Sequence, residues 1–355
     1  MTQLFQAPTP ATPSKPWKAK PKNLLPEIFG ALFTAVSTFV IVGFTPLKGK
    51  LGFSVVLILM AIITTSLISG IKRDRKAAWN STTTVLVYVA AAFVLIPLIS
   101  LLYEIIRKGI GGFSFGIFTR DMSLSASDSP LSEGGLLHAV IGTFYIVILA
   151  TIISTPIGIL TSLYIVEVKG KFAGLVRFFV QAMSGIPSIV AGLFIYAVWM
   201  INLGNSYNAL AGAGALAILM IPTVARTSEE VLKLIPTDLR EAGLALGATQ
   251  WRTVAMIVIP AARSGLVTSI ILGIARVAGE TAPLLLTIGG ADATNLNPFS
   301  GNNSALPYYV WKNYGLGNET SIQRAWLGVF VLMIVVFIFF SLARYFGRTK
   351  DKKAK

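Results

Sequence analysis

Uncharged, mostly apolar stretches of about 20 residues, the length a membrane-crossing helix needs, recur at 28–47, 51–71, 81–103 and 136–166. The run 178–225 is also free of charge and is long enough for two helices. They separate at the polar turn Asn202, Leu203, Gly204, Asn205, Ser206, Tyr207 and Asn208. A seventh span is predicted over 264–290, interrupted by Arg276 and Glu280, and an eighth over 325–343. Hydrocarbon offers backbone amides no partner, and these runs lack the apolar–polar alternation of a barrel strand. The pattern therefore predicts an all-α polytopic membrane protein.

The basic residues orient it. With the N-terminus inside, the cytoplasmic segments collect Lys15, Lys18, Lys20 and Lys22, then Lys72, Arg73, Arg75 and Lys76, then Lys169, Lys171 and Arg177. The next carries Arg226, Lys233, Arg240, Arg252 and Arg263, and a basic tail follows. The opposite side holds only Lys48, Lys50, Arg107, Lys108, Arg120, Lys312 and Arg324. Short loops rich in Lys and Arg stay cytoplasmic, so eight helices with both termini cytoplasmic in the plasma membrane are expected. Residues 1–27, where prolines alternate with lysines, read as a disordered cytoplasmic arm. The first apolar stretch is too long for a signal peptide and has no small-x-small cleavage site behind it. A hairpin at 28–76, a larger domain at 77–346 with a long cytoplasmic loop at 226–263, and a basic tail at 347–355 complete the organisation.

Thirty Lys and Arg against 15 Asp and Glu give a net charge of +15, yet only 13% of residues are charged and 54% are hydrophobic. Topology and attraction to anionic headgroups account for that excess, and nucleic acid is not an expected partner. The absence of cysteine excludes disulfides, thiol nucleophiles and cysteine-held metals, and a single histidine builds no metal centre. No Walker-type Gly-x-x-x-x-Gly-Lys-Ser/Thr occurs, since Gly170-Lys171 is followed by Phe172. No nucleophile–base pair is apparent either, so neither an enzyme nor a cofactor site is expected.

The loop 226–263 is patterned rather than linker-like. Asp238 is placed to cap a helix, with Glu241 in the reciprocal position. Leu239, Ala242 and Leu246 then share a face, Gly247 stops the helix, and Thr249 starts another with Trp251, Val254 and Val258 along one stripe. Glu229 and Glu230, near the start of this loop, are expected to be solvated. Two short amphipathic helices on the cytoplasmic side form a docking surface for a soluble partner. Glu241-Ala242-Gly243, Gly247, Ile257 and Ile259-Pro260 resemble the EAA loop of ABC-importer permeases, with Gly243 in place of the second Ala and Ile259 in place of Leu. The resemblance implies that Asp238, Glu241, Ala242, Gly243, Gly247, Ile257 and Pro260 couple the chain to a separate ATP-binding subunit dimer.

Arg276 lies deep in an apolar span, where a lone guanidinium costs several kcal/mol. Glu280, one turn on, is expected to share its face and offset part of that cost. Such a group is by default functional, and the planar fork of arginine suits tetrahedral oxyanions. A purely structural ion pair is the other reading. The stretch from Ala275 through Glu280 and Thr281 to Leu285 is similar to the Arg-x-x-Gly-Glu-Thr-Ala-Pro-Leu-Leu signature of the phosphate ABC-transporter permeases of the PstA type. Segments around Gly134–Gly158, Gly185–Phe194 and Arg226–Glu230 resemble further parts of that family, over about residues 80–346. The resemblance implies a type I ABC-importer permease core of six helices, here preceded by an extra two-helix hairpin. It also implies a substrate path through Arg276, Glu280, Thr281 and Arg226, a homologous second permease, and an extracytoplasmic phosphate-binding protein. Permeases for sulfate or molybdate, and a standalone anion channel or carrier, remain the alternatives.

Other residues leave two readings open. Pro97, Pro156, Pro222 and Pro283 shape a gate or merely bend helices. Gly134, Gly135 and Gly142 let amides approach an anion or let helices pack closely. His138 is expected at a membrane interface, and the segment from Asn302, Asn303 and Ser304 to Trp311 at the outer surface, facing a binding protein.

Overall fold

The computed structural model describes residues 25–46, 49–72 and 74–347, so the expected arm up to residue 24 and the tail from 348 lie outside the described residues. Among the described residues the regular structure is helical, apart from one isolated bridge between Gly289 and Asn303. Two compact units divide between Leu102 and Tyr103.

In the first unit, α1 (Leu25–Phe44) and α2 (Lys50–Lys72) pair as an antiparallel hairpin, with Phe39 edge-on to Phe53. Thr34 and Thr38 are buried between them and return their hydroxyls to the carbonyls of Gly30 and Thr34 at 2.8 and 2.7 Å. An apolar helix hides a polar group this way without a partner from outside. Asp74 caps α3 (Arg75–Ile110) by accepting from the Ala77 amide at 2.7 Å. The helix runs on through Pro97.

The second unit is built on α4 (Leu137–Leu163) and α7 (Ala209–Lys233), which lie parallel along their length. Small residues recur on their buried faces, among them Gly158 against Val224 and Gly212 against Ile146, and let backbones close in where lipid supplies no hydrophobic drive and packing must hold helices together. Both continue through a proline, Pro156 and Pro222. α5 (Ala173–Ser184) and α6 (Ser188–Ile195) meet at a bend of 102° at Gly185-Ile186-Pro187, where Pro187 denies Ile186 the helical region. Arg177 of this pair sits beside Glu229, and Ile195 beside Gly214. The bent pair therefore runs antiparallel to α7, from its Lys233 end towards its Ala209 end.

The chain then forms α8 (Thr237–Ala245), α9 (Gln250–Thr253), a π turn (Val254–Val258) and α10 (Ile259–Val277). The last three make one rod, so the expected second short helix of the loop is the beginning of the next span. α11 (Ala282–Leu285), α12 (Leu306–Leu316) and α13 (Glu319–Gly347) complete the unit. Its core gathers Ile146, Leu216, Met220, Val224, Val277 and Leu284.

Among the described residues, six helices are long and apolar enough to cross a membrane: α2, α3, α4 with its π turn, α7, the rod Gln250–Val277, and α13. The α5–α6 pair makes a seventh if it is one broken span, and α1 is a shorter apolar helix. One expected boundary is corrected. The span read as 264–290 starts at Gln250 and ends at Val277. Apolar composition persists to Gly290, but Gly279 and Pro283 break the helix inside it.

Candidate functional site

Arg276 occupies the last turn of α10. Gly273 brings this helix against α7, for a Cβ there would stand 2.9 Å from both Met220 and Val224. That approach lets the Arg276 Nη1 donate to the Thr223 hydroxyl at 3.1 Å. Thr223 lies 14 residues from one end of α7 and 10 from the other (Ala209–Lys233), roughly 21 and 15 Å at 1.5 Å per residue. The guanidinium thus stands at mid-height of the bundle, on a face this chain leaves exposed.

The expected ion pair with Glu280 does not form among the described residues. Four residues on would be one turn only if the helix continued, whereas it stops at Val277 and the Glu280 amide closes a tight turn onto the Val277 carbonyl at 3.1 Å. Glu280 and Thr281 lie in this break, partly exposed, and Thr281 heads the short α11 without a side-chain cap. Arg226 is three residues beyond Thr223 on α7, hence on the same side and about one turn nearer the α8 end, and it too is exposed. The structure therefore brings together Arg276 and Thr223, with Arg226 about one turn along the same side of α7 and Glu280 and Thr281 following the helix end. Thr223 and Gly273 escaped the sequence reading. The available signal was a hydroxyl three residues before Arg226, in the otherwise apolar stretch 209–225.

The second group of expected residues sits at the other end of the rod. α8 begins after Pro236, so Asp238 is in the first turn rather than at the cap, and the reciprocal bond with Glu241 is not made. Pro236 supplies a fixed extended entry instead, with φ −56° and ψ 142°. Gly247 ends α8 at φ +81°, a conformation costly for any residue with a Cβ. Thr249 then caps α9 through the Arg252 amide. Gly243 is the buried position of α8, since a Cβ there would stand 2.8 Å from Ile257 and 2.9 Å from Thr253. Leu239, Glu241, Ala242, Leu244 and Leu246 are exposed, Leu246 at 88%. The stripe expected on the next helix splits: Val254 and Val258 are buried, while Trp251 points outward. Pro260 opens α10.

Beneath α8 lies a cleft of 560 Å³ bounded by Glu167, Lys169, Arg177, Lys233 and Arg240. Glu229, expected to be solvated, is instead buried here and paired with Arg177 at 3.0 Å and Lys233 at 2.9 Å. The α5 bend delivers Arg177 from 52 residues away in sequence, which helical spacing does not reveal. Glu230 stays exposed.

At the far end of the bundle, Asp121 accepts from the Ser123 hydroxyl at 2.6 Å and from the Thr294 amide and hydroxyl at 2.8 and 2.9 Å. The Ser123 bond, with those from Thr294, holds its carboxyl well below the ordinary range. His138, expected at a membrane interface, lies in the first turn of α4 and is buried, edge-on to Tyr309 at 5.6 Å. Burial pushes the Tyr309 phenol up to about 12. Asn303 and Ser304 are buried as well, tucked against α4 where a Cβ on Gly142 would collide with the Ser304 carbonyl. Gly142 is thus a packing glycine. Asn302 and Trp311 remain exposed.

Residues 154–352 match the family described as binding-protein-dependent transport system inner membrane component. The chain is 38% identical over 264 residues to the phosphate transport system permease protein PstA 1 of Mycobacterium tuberculosis (strain CDC 1551 / Oshkosh), covering 74% of this chain and 86% of that protein. It is 37% identical over 268 residues to the phosphate transport system permease protein PstA of Pasteurella multocida (strain Pm70), covering 75% and 93%. Among solved structures, an inward-facing form of the MetNI methionine ABC transporter aligns with a TM-score of 0.46 at 24% identity, over 58% of this chain and 90% of that one. The family match and these relatives agree with the helical, multi-pass architecture, and the chain belongs to the binding-protein-dependent transport system inner membrane components.

Proposed function

We propose that this chain is the transmembrane permease subunit of an ATP-driven importer of inorganic phosphate. The observation that carries the reading is Arg276: a guanidinium at mid-height of the bundle, bonded to a neutral hydroxyl and exposed on the isolated chain. A cation that no carboxylate has neutralised keeps its full attraction for an anion, and its paired N–H groups match two oxygens of a phosphate. Arg226, a turn nearer the α8 end, offers the next station along the path. Glu280 and Thr281 border the same route, and a nearby carboxylate keeps an anion from being held too tightly to leave. The relatives named as phosphate transport permeases support phosphate as the cargo.

The exposed Arg276 face is the one that a homologous second permease would complete. The chain has no phosphate-binding loop of its own, so ATP hydrolysis belongs to a separate pair of subunits gripping α8 through Glu241, Ala242 and the exposed leucines. The far-end loops would receive an extracytoplasmic binding protein. Counting α1 as one crossing and the bent α5–α6 pair as another gives eight crossings, with α8 and both termini cytoplasmic. The antiparallel course of the pair along α7 and the excess of basic residues near α8 support this count.

Arg276→Gln tests the reading. Uptake of labelled phosphate into cells should fall to background while the membrane content of the chain and of its complex stays at the parent level. Normal uptake by that variant would refute the anion path.

A further inference from the structure

Arg240 is engaged far beyond what the exposed side of α8 needs. Its Nε donates to both carboxylate oxygens of Glu167 at 3.1 Å, and its Nη2 donates to Oε1 at 2.8 Å. The same Nη2 reaches the Leu232 carbonyl at 2.9 Å, and Nη1 the Ile235 carbonyl at 2.5 Å. The side chains are 20% and 7% exposed, so solvent screens the pair little. Glu167 belongs to the π turn Tyr164–Val168 that closes α4. Its backbone carbonyl accepts from the Gln250 side chain at 2.6 Å, at the head of the rod Gln250–Val277. Four elements therefore meet at Glu167 and the Arg240 guanidinium: the end of α4, the end of α7 with the turn after it, α8, and the start of the rod.

Its place in the loop gives the cluster meaning. α8 is nine residues long and hangs between Pro236 and Gly247. Apart from Arg240, its buried attachment to the neighbouring helix is Gly243 against Ile257 and Thr253. A short helix held so lightly would swivel under a load and absorb it locally. A bidentate, charge-assisted bond has a fixed direction and resists that swivel.

We infer that Glu167 and Arg240 are positioning residues that carry the movement of α8 into α4 and α7, and so link nucleotide-driven motion to the phosphate path. This rests on the reading of α8 as the docking helix. Parent and variant chains are assembled with the companion permease, the ATPase subunits and the binding protein in lipid vesicles. Three quantities are measured: ATPase subunit retained, ATP hydrolysed, and labelled phosphate transported per ATP. Glu167→Gln and Arg240→Lys should retain the ATPase subunit within twofold of the parent while phosphate moved per ATP falls at least fivefold. Glu167→Asp, which keeps the charge, should recover at least half of the parent ratio. An unchanged ratio in intact complexes overturns the inference. So does a fall in uptake that only tracks loss of assembled complex, since a merely structural pair would do no more. Failure of the parent chain to retain the ATPase subunit would instead bring down the docking role of α8, and this inference with it.

Discussion

Arg276 is tolerable at mid-height because of where α10 stops. The last carbonyls of a helix have no amide partners and carry partial negative charge, a setting that favours a cation in the final turn. Had the helix continued to Gly290, as the apolar composition suggests, the same side chain would lie far from any helix end and would need a carboxylate. Thr223 provides an oxygen without a charge. Two substitutions separate these effects. Thr223→Val removes one bond to a charged group, worth about 1.5–3 kcal/mol, and should leave uptake measurable with a half-saturation concentration raised by at least about tenfold. Thr223→Glu places a carboxylate against the guanidinium and should abolish uptake as fully as Arg276→Gln. Labelled-phosphate uptake at several concentrations, normalised to chain in the membrane, checks both.

Single elements differ in how readily they read from sequence. Most spans were legible, because a charge-free run of the right length has few other uses in this setting. Gly247 and Thr249 were legible as stop and start, since a positive φ and a capping hydroxyl each point to few residue types. The end of α10 was not, for hydropathy marks an apolar environment and says nothing of helix continuity. Nor was the burial of Glu229, which depends on a partner delivered by the α5 bend. The clasp at Asp121 belongs with these: it ties the loop before α4 to the loop after α11, 173 residues apart. Its depressed carboxyl makes that tie pH-dependent. The contribution is complete above the unfolded value of about 3.9 and is lost as pH falls through the lower folded value. The protection factor of the Thr294 amide, the exchange rate of an unstructured peptide divided by its own at the same pH, should therefore fall on acidification below about pH 4. In Asp121→Asn it should be low already at neutral pH and lose that acid-dependent step.

For the whole molecule, the absence of cysteine makes topology directly measurable. Leu124, 99% exposed in the far-end loop, and Leu246, 88% exposed on the α8 loop, are suitable positions. In right-side-out vesicles lacking the ATPase subunit, an impermeant thiol reagent should label Leu124→Cys and spare Leu246→Cys until the membrane is opened. Labelling of both before opening would mean that the two loops share a side. The rod Gln250–Val277 carries Trp251 near one end and Arg276 near the other, about 42 Å apart at its extremes. A stiff helix behaves as a torsion bar, so twisting its Trp251 end turns the other end by a similar angle. With side chains reaching about 5–6 Å from the axis, a 30° twist sweeps the guanidinium through about 3 Å. That arc is as long as its bond to Thr223, so a small torque applied at the membrane surface is enough to change what the arginine holds at the centre.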